Sequence, residues 1–542
     1  MLIIKRSANM NRLKGIPYGI SDFNRLRNDN FYFVDKTIYL PLIERMPSYL
    51  SLTRPRRFGK SLFLSMMRTY YDLLQRDNFD RYFGDLWIGA HPTDQRNHYQ
   101  VLYFDFSKAG CSVPGDGMMA SFNEYSSLVI NQFADDYASF YDPDFKSTVE
   151  SISSAKAKLS YIELKAKAKG YPLYLTIDEY DNFTNVILSE HGQKMFHDLT
   201  HASGFYREYF KQYKGMFDRI FLMGVSPVTL DDLSSGYNID WNISTDSRFN
   251  AMMGFSETEV REMFRYYQEN DALPGDIEAM IAEMKPWYDN YCFARMSLGD
   301  DRVFNCDMTL YYLRSQFDFH RSPEEMVDKN IRTDYSKLKM LARIDHDSAH
   351  EGSRMSTIEE IATKGEILVN LHTSFPAERV ADVDNFRSLL YYYGLLTMCG
   401  TRGDRLRMCI PNHCVREQYF GFLREYYQQA HPLDLSRLKD QIDDLAYDGV
   451  WKPFFESIAC AYRENSSVRD GMEGERNLQG FLKAYLALAS YYLVEPELEM
   501  NYGYCDFFLL PDKQRYRTLS TATSSNSNTL PAPLPMRNLQ CK

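Results

Sequence analysis

The sequence has few cysteines for its length and no long uncharged apolar run. Its nine cysteines among 542 residues include no Cys-x-x-Cys pair, and their count is odd. Reduced thiols are therefore a simpler interpretation than a disulfide framework. No run approaches the roughly 18 apolar residues of a membrane span. Since the N-terminal apolar run is also too short for a signal peptide, we predict a cytoplasmic protein that does not enter the membrane.

Positive charge is also in short supply. With 62 Lys and Arg against 73 Asp and Glu, the net charge is −11. This balance excludes a protein that coats nucleic acid by bulk electrostatics, although it leaves room for a local basic groove. Aromatic residues are abundant, with 41 Tyr and 35 Phe. The length predicts two or three domains, and the composition predicts a soluble globular protein with Tyr-rich cores.

Apolar periodicity divides the chain into four parts. Residues 1–265 show the pattern of an α/β domain, with near-continuous apolar runs at 48–52, 101–106, 173–177 and 219–225 that are typical of parallel strands. Residues 266–430 are predicted to be helical. Residues 431–515 hold helices and then an alternating run at 502–510. The Ser-, Thr-, Asn- and Pro-rich residues 516–542 are predicted to form a disordered tail.

A phosphate-binding loop is predicted directly after the first strand. Gly59, Lys60 and Ser61 stand between the strand at 48–52 and a predicted amphipathic helix that begins at Lys60. In a P-loop, the glycine lets the backbone approach the ligand. The lysine reaches the β- and γ-phosphates, and the hydroxyl binds Mg²⁺. The first glycine of that motif is replaced by Arg54, so the motif alone is incomplete.

A second element supports the loop. The strand at 173–177 ends in Asp178 and Glu179, where Asp178 is predicted to hold Mg²⁺ and Glu179 to orient or deprotonate the attacking water. The alternative interpretation is that the two carboxylates cap a helix. The 118 positions between Lys60 and Asp178 predict an inserted strand and helices.

Other polar residues near the loop have two interpretations each. Ser226, at the tip of the strand at 219–225, is predicted either to contact the γ-phosphate or to cap a turn. Arg54, Arg56 and Arg57 either neutralise phosphate or contact a neighbouring segment, unless they form a solvated loop. Arg248 is a candidate transition-state arginine, with a surface salt bridge as the alternative.

Several motifs resemble the opening of the bacterial AAA-ATPase-like family. They are Gly-Ile-Ser-Asp-Phe at 19–23, Tyr-Phe-Val-Asp-Lys-Thr at 32–37 and Arg-Pro-Arg-Arg-Phe-Gly-Lys-Ser at 54–61, followed by further matches at 177–181, 224–227, 254–257 and 288–293. The resemblance covers about residues 15–515, and arginine is usual in that family at the first loop position. It implies ATP and Mg²⁺ as cofactors. The nucleotide-binding residues it predicts are Arg57, Phe58, Gly59, Lys60, Ser61 and Ser226.

The same family usually carries a PD-(D/E)xK nuclease-like domain at the C-terminus. The resemblance assigns Glu475 to the helix carboxylate, Glu497 to the segment before the hairpin and Asp506 to the first catalytic strand. The expected Glu-x-Lys of the next strand is missing, because residues 514–520 read Gln-Arg-Tyr-Arg-Thr-Leu-Ser. We therefore expect a degenerate, inactive metal site. The abrupt change of composition near residue 515 suggests a frameshift or truncation.

The sequence thus predicts ATP binding and Mg²⁺-dependent ATP hydrolysis, coupled to a degenerate nuclease-like module. An alternative is a nucleotide-gated interaction protein with little turnover. A third possibility, an active DNA endonuclease, would show cleavage that Asp506→Ala abolishes. DNA or a protein partner is expected to bind through the middle and C-terminal regions, and an oligomer is possible by analogy with other ATPases.

Overall fold

The computed structural model describes residues 13–109, 116–182, 205–228, 241–300, 302–328, 348–376, 379–380, 382–430, 432–466, 475–489, 491–500, 503–512, 516 and 518–519. The chain divides into two compact units, Met1–Arg332 with Leu368–Asn412 and Thr333–Ile367 with His413–Lys542. The domain boundaries expected at residues 265 and 430 stay predictions. The expected tail at 516–542 lies outside the described residues, apart from 516, 518 and 519.

The first unit is built around a five-stranded sheet. Its strands are β1 (Tyr49–Thr53), β2 (Gln100–Asp105), β3 (Leu173–Asp178), β4 (Arg219–Gly224) and β5 (Trp241–Asn242). They lie in the order β2-β3-β4-β1-β5, and all four pairings are parallel. The apolar runs therefore predicted four strands correctly, and the α/β parallel-sheet fold is confirmed. The two-residue β5 was not predicted, because two residues carry no periodicity.

Helices connect these strands. Before β1 lie α1 (Phe23–Asn28) and α2 (Leu40–Glu44), and between β1 and β2 lie α3 (Lys60–Tyr71), α4 (Phe79–Phe83) and α5 (Trp87–Ala90). Between β2 and β3 lie α6 (Asp116–Asp136), α7 (Phe145–Ser151) and α8 (Ala155–Lys169), and α9 (Phe205–Tyr213) precedes β4. The strand and helices expected between Lys60 and Asp178 are therefore β2 and the helices on either side of it.

The middle of the chain is helical but also contains short strands. Its elements are β6 (Phe255–Ser256), α10 (Glu257–Glu269), α11 (Ile277–Tyr288), β7 (Val303–Phe304), α12 (Cys306–Phe319), α13 (Ser348–Lys364), β8 (Glu366–Val369), α14 (Val383–Tyr392), β9 (Thr397–Arg402) and β10 (Arg405–Cys409). β6 pairs with β7, and a three-stranded sheet has the order β8-β10-β9. The sequence pattern missed these strands because they are short and, in β9 and β10, rich in arginine.

The second unit continues with helices and one hairpin. Its later elements are α15 (His413–Ala430), α16 (Leu435–Asp443), α17 (Lys452–Ser466), α18 (Glu475–Leu486), β11 (Tyr492–Met500) and β12 (Gly503–Pro511). β11 and β12 pair antiparallel. The alternating run at 502–510 therefore predicted a strand correctly.

The cysteines only partly match their predicted state. Those at 292, 306, 399, 409 and 414 are free thiols. Cys460 is disulfide-bonded, so the prediction that the thiols are all reduced is wrong at this position, which the spacing of the cysteines did not indicate. Of the helices that the structure describes, none is long and apolar enough to cross a membrane.

Candidate functional site

Residues 54–61 form the turn that joins β1 to α3. Gly59 precedes α3 with φ of 82°, and Arg57 has φ of 67°. Glycine adopts this left-handed backbone without steric cost, whereas Arg57 is strained by it. No side chain forms a cap hydrogen bond at the start of α3 in the described structure. The first amide groups of the helix are therefore available to an anion.

The ammonium group of Lys60 lies inside this loop. The residue is 6% exposed, and its Nζ donates to the carbonyl oxygens of Arg54 at 3.1 Å and Pro55 at 2.9 Å. Burial lowers the pKa of Lys60, while Asp178 and Glu179 oppose that shift. A desolvated cation surrounded by carbonyl oxygens is well placed to exchange them for charged phosphate oxygens, because charge-assisted hydrogen bonds are stronger.

Ser61 and Asp178 meet at the edge of the sheet. The Oγ atom of Ser61 donates to Oδ2 of Asp178 at 2.6 Å. Ser61 lies in the first turn of α3, Asp178 ends β3, and β4 lies between β1 and β3. Burial raises the pKa of Asp178, and the hydrogen bond from Ser61 acts in the opposite direction. The structure thus brings together the loop and the carboxylate that the sequence predicted to cooperate.

Glu179 follows Asp178 in a strained conformation. Its φ is 49°, and its N–H donates to Oδ1 of Asp178 at 3.0 Å. Burial raises the pKa of Glu179, and Arg56 acts in the opposite direction. Both the left-handed backbone of a residue with a side chain and a carboxyl of raised pKa are features typical of functional sites. The predicted role of Glu179 as a base therefore has local support, although the role itself stays a prediction.

Ser226 is fixed to Asp181 through its backbone. Asp181 accepts hydrogen bonds from the N–H groups of Val225 at 3.1 Å and Ser226 at 2.7 Å. The Oγ atom of Ser226 accepts a hydrogen bond from the N–H of Val228 at 3.3 Å, and the residue is 1% exposed. This contact is the turn-capping alternative, so a contact between Ser226 and the γ-phosphate stays a prediction.

Arg54, which replaces the first glycine of the usual motif, is a buried structural residue. It is 1% exposed. Its guanidinium donates to the carbonyl oxygens of Thr53 at 3.0 Å, Ser244 at 2.7 Å and Phe249 at 3.0 Å. It also lies 4.4 Å from the centre of the Phe293 ring. Of the three interpretations of Arg54, the structure supports contact with neighbouring segments.

The other flanking residues differ in their surroundings. The Nη1 atom of Arg57 lies 3.4 Å from Oδ2 of Asp307. The ring of Phe58 is buried and packs edge-on against Tyr291, with ring centres 4.8 Å apart, so any contact of Phe58 with nucleotide would involve its backbone. Arg248 pairs with Asp246, the second residue before it, which is the surface salt bridge weighed as its alternative.

A cavity of about 270 Å³ adjoins the Ser61–Asp178 contact. Besides Ser61, Asp178 and Glu179, it is lined by Arg68 of α3 and by Tyr103 and Asp105 of β2, together with Ser21, Asp22, Ser65, Ser107 and Lys108. The sequence did not identify these further residues as part of the site. One signal was available: β2 ends in a carboxylate as β3 does, and Asp105 is paired with Asp178 in the sheet register.

The oxygen atoms at this site fit a magnesium ion. Mg²⁺ prefers oxygen ligands and is commonly held by one or two carboxylates, with water and substrate phosphates completing the octahedron. Asp178 and Ser61 provide a carboxylate and a hydroxyl 2.6 Å apart. No cluster of three or more His, Cys, Asp or Glu side chains that could hold a metal occurs in the parts of the chain that the structure describes. Any Mg²⁺ at this site would therefore take further ligands from the nucleotide and from water.

The three carboxylates assigned to the nuclease-like site lie on α18, β11 and β12. Glu475 is the first residue of α18, and Asp506 lies in β12. Glu497 lies in β11, so its predicted place before the hairpin is wrong: it stands within the first hairpin strand. In the hairpin register, Glu497 and Asp506 both fall between the pairs Pro496–Phe507 and Leu498–Cys505. The backbone therefore places these two residues opposite each other. Their grouping with Glu475 into a site stays a prediction.

Two family models match the chain in the order that the resemblance predicted. Residues 17–234 match the family described as predicted AAA-ATPase, and residues 473–521 match the PD-(D/E)XK nuclease superfamily. The predicted resemblance is thus confirmed. The second match covers Glu475, Glu497 and Asp506 and reaches residue 521.

Comparison with individual proteins gives weaker evidence than the two family models. An uncharacterized protein from the vnfD 5′ region of Azotobacter chroococcum mcd 1 is 29% identical over 318 residues, which are 56% of this chain and 53% of that protein. The match thus spans about half the length of this curated relative. The Aeropyrum pernix ORC2 protein, solved as ADPNP-ADP complexes, aligns with 72% of this chain and 92% of its own at 10% identity. Its TM-score of 0.31 is too low to support an argument.

Proposed function

From the match of residues 17–234 to the predicted AAA-ATPase family, we propose that this protein binds Mg·ATP at the 54–61 loop and hydrolyses it. One observation carries the proposal: the 2.6 Å hydrogen bond from Ser61 to Asp178 brings the loop and the end of β3 to one point. The amides at the start of α3, the buried Lys60 and the carboxylate of Asp178 are the kinds of group that phosphoryl transfer requires, which supports the proposal.

Each residue would have a separate task. Lys60 would exchange the carbonyl oxygens of Arg54 and Pro55 for β- and γ-phosphate oxygens, which would oppose the effect of burial on its pKa. Ser61 and Asp178 would hold Mg²⁺, which neutralises the charge that develops on the phosphate oxygens. Glu179 would accept a proton as water attacks the γ-phosphorus and the bond to the ADP oxygen breaks.

The roles of Lys60 and Glu179 can be told apart by measuring ATP binding and ATP turnover separately. We expect Lys60→Ala to lose ATP affinity, so that Mg·ATP no longer raises its melting temperature. Glu179→Gln should still be stabilised by Mg·ATP but lose roughly 10²–10⁴-fold in turnover, the usual contribution of a general base. Lys169→Ala is a matched control, because Lys169 is an exposed residue at the end of α8. Equal ATP stabilisation of wild type and Lys60→Ala would refute the proposed site.

A second candidate is a nucleotide-gated interaction protein with little turnover. Its specific support is that the loop packs against segments outside the sheet, since Phe58 contacts Tyr291 and a Cβ atom added to Gly394 would lie 2.8 Å from Cβ of Pro55. A ligand that moved the loop would therefore also move these segments. Tight ATP binding by the wild type without measurable turnover would favour this candidate over hydrolysis.

A further inference from the structure

Arg68 brings a guanidinium group to the cavity that adjoins the Ser61–Asp178 contact. It stacks on the ring of Tyr103 in β2, with its central carbon 3.8 Å from the ring centre. In the part of the chain that the structure describes, this guanidinium forms neither a hydrogen bond nor an ion pair. Stacking covers only the face of the group. Its N–H edge therefore stays available to an oxyanion, which guanidinium binds through two parallel hydrogen bonds.

Arg68 lies on the same face of α3 as the proposed magnesium ligand. Ser61, Ser65 and Arg68 are spaced four and three residues apart, and all three line the cavity. The seven residues from Ser61 to Arg68 rise about 10 Å along the helix. Long side chains of a helix usually point back toward its N-terminus. The guanidinium is therefore directed toward the end of the cavity where Ser61 and Asp178 meet.

The carboxylates closest in effect to Arg68 do not bind it directly. Burial lowers the pKa of Arg68, and the charges of Asp72 and Asp22 act in the opposite direction. Both carboxylates accept hydrogen bonds from other groups, and neither forms an ion pair with Arg68 among the described residues. A desolvated guanidinium that lacks a directly bound carboxylate gains from an anionic ligand.

The cavity as a whole is acidic before a metal ion binds. Its charged side chains are those of Asp22, Asp105, Asp178, Glu179, Arg68 and Lys108, an excess of two negative charges. Asp105 pairs with Lys108 at 3.1 Å and accepts hydrogen bonds from the N–H and the hydroxyl of Ser107. The remaining excess would repel an anion. Mg²⁺ held by Asp178 would cancel it, so an anion should bind here only when Mg²⁺ is present.

The size and position of the cavity suit a reaction product better than a whole nucleotide. Its volume of about 270 Å³ lies below the roughly 300–1,000 Å³ of pockets that hold drug-sized ligands. Glu179, the proposed base, lines the cavity, so the attacking water would approach from this side. Because the attacking and leaving oxygens of phosphoryl transfer lie roughly in line, the phosphorus moves toward this side and away from ADP.

We propose that this cavity receives the inorganic phosphate released by ATP hydrolysis and that Arg68 binds it there. The inference rests on the proposed function. Water attacks the γ-phosphorus, the bond to the bridging oxygen breaks with its electron pair left on ADP, and Glu179 takes the proton of the water. The phosphate then meets the N–H edge of Arg68. Ser65 offers a further donor, because its Oγ accepts the N–H of Phe23 at 2.9 Å and its O–H can still donate.

The test is calorimetric titration of the full chain with inorganic phosphate in the presence of Mg·ADP, which leaves the position of the γ-phosphate empty. We expect the wild type to bind phosphate and Arg68→Gln to bind it at least about tenfold more weakly, since charge-assisted hydrogen bonds are lost. Arg68→Lys keeps the charge without the two-pronged edge, so its affinity should be intermediate. Chelation of Mg²⁺ should abolish binding by the wild type.

Two further variants control for stability and charge. Arg96 also stacks on a ring, 4.3 Å from the centre of Phe79, but does not line the cavity, so Arg96→Gln should leave phosphate affinity unchanged. Asp105→Asn removes one negative charge from the cavity and should tighten phosphate binding, which keeps the test decisive even if the Arg68 variants fail to fold.

Two results would overturn the inference. They are a wild type that binds no phosphate beside Mg·ADP, and equal phosphate affinity in the wild type and Arg68→Gln. If Mg·ATP stabilises the wild type but not Lys60→Ala while phosphate affinity is equal in the wild type and Arg68→Gln, only this inference fails. If Mg·ATP does not stabilise the wild type, the proposed ATP site fails with it.

Discussion

The substitution Arg54→Gly offers the sharpest test of the structure. The P-loop motif predicts that it is tolerated, whereas the structure predicts that it destabilises the protein. Glycine is the usual residue at this loop position, so Arg54→Gly would restore the standard motif. In the structure, however, the Arg54 guanidinium joins the carbonyl oxygens of Thr53, Ser244 and Phe249. The substitution would leave buried carbonyl groups without donors and open a cavity.

The loss of stability expected for Arg54→Gly follows from these contacts. Hydrogen bonds from a charged group contribute about 1.5–3 kcal/mol each, and stacking on Phe293 adds about 1 kcal/mol. With three hydrogen bonds at the lower value and the stacking contact, Arg54→Gly should reduce the free energy of unfolding by about 5.5 kcal/mol. With about 2 °C lost per kcal/mol in a large domain, the melting temperature should fall by roughly 10 °C. ATP affinity should fall as well, because the Arg54 carbonyl is one of the two that position Lys60.

The assay is thermal unfolding of three variants with and without Mg·ATP. Arg54→Met keeps most of the side-chain volume but removes the guanidinium, so it should lose the hydrogen bonds and the contact with Phe293 without opening a large cavity. Arg54→Lys keeps the charge but lacks the planar guanidinium that reaches several carbonyl groups at once. Its melting temperature should therefore lie between those of the wild type and Arg54→Met. If Arg54→Gly melted like the wild type and bound ATP equally well, the structural role of Arg54 would be wrong.

Two further predictions concern positions outside the loop. Burial raises the pKa of Asp72 to about 6, so the folded state binds this proton more tightly than the unfolded state and stability falls as pH rises from about 4 to 6. Asp72→Asn should remove this slope and, at pH 7, gain up to about 3 kcal/mol in urea unfolding; equal pH slopes in both proteins would contradict this. Gly394→Ala should reduce the free energy of unfolding by about 1–3 kcal/mol more than Gly403→Ala does. Both glycines have a left-handed backbone, but only a Cβ atom at Gly394 would meet Pro55. Equal losses in chemical denaturation would show that the contact with Pro55 does not matter.

Much of the sheet could be predicted from local pattern. The strands β1, β3 and β4 are buried on both faces, so each reads as a continuous apolar run that ends near the predicted residue. The edge strand β2 alternates between buried and half-buried residues, and its apolar run was recognised all the same. The hairpin of β9 and β10 could not be predicted in this way. It is short, and the Arg405 and Arg407 side chains interrupt its apolar residues. Its pairing also depends on β8, which lies on the far side of α14 in the chain.

The sequence by itself determined the parts of the candidate site, because Gly59, Lys60, Ser61, Asp178 and Glu179 each follow an apolar strand in an order that indicates phosphate chemistry. Only the tertiary structure decided how those parts meet and what Arg54 does. Sheet order is set by packing between distant segments, and it places β4 between the two strands that bear the site. The burial of Arg54 depends in the same way on carbonyl groups almost 200 residues away, which no local pattern of residues encodes.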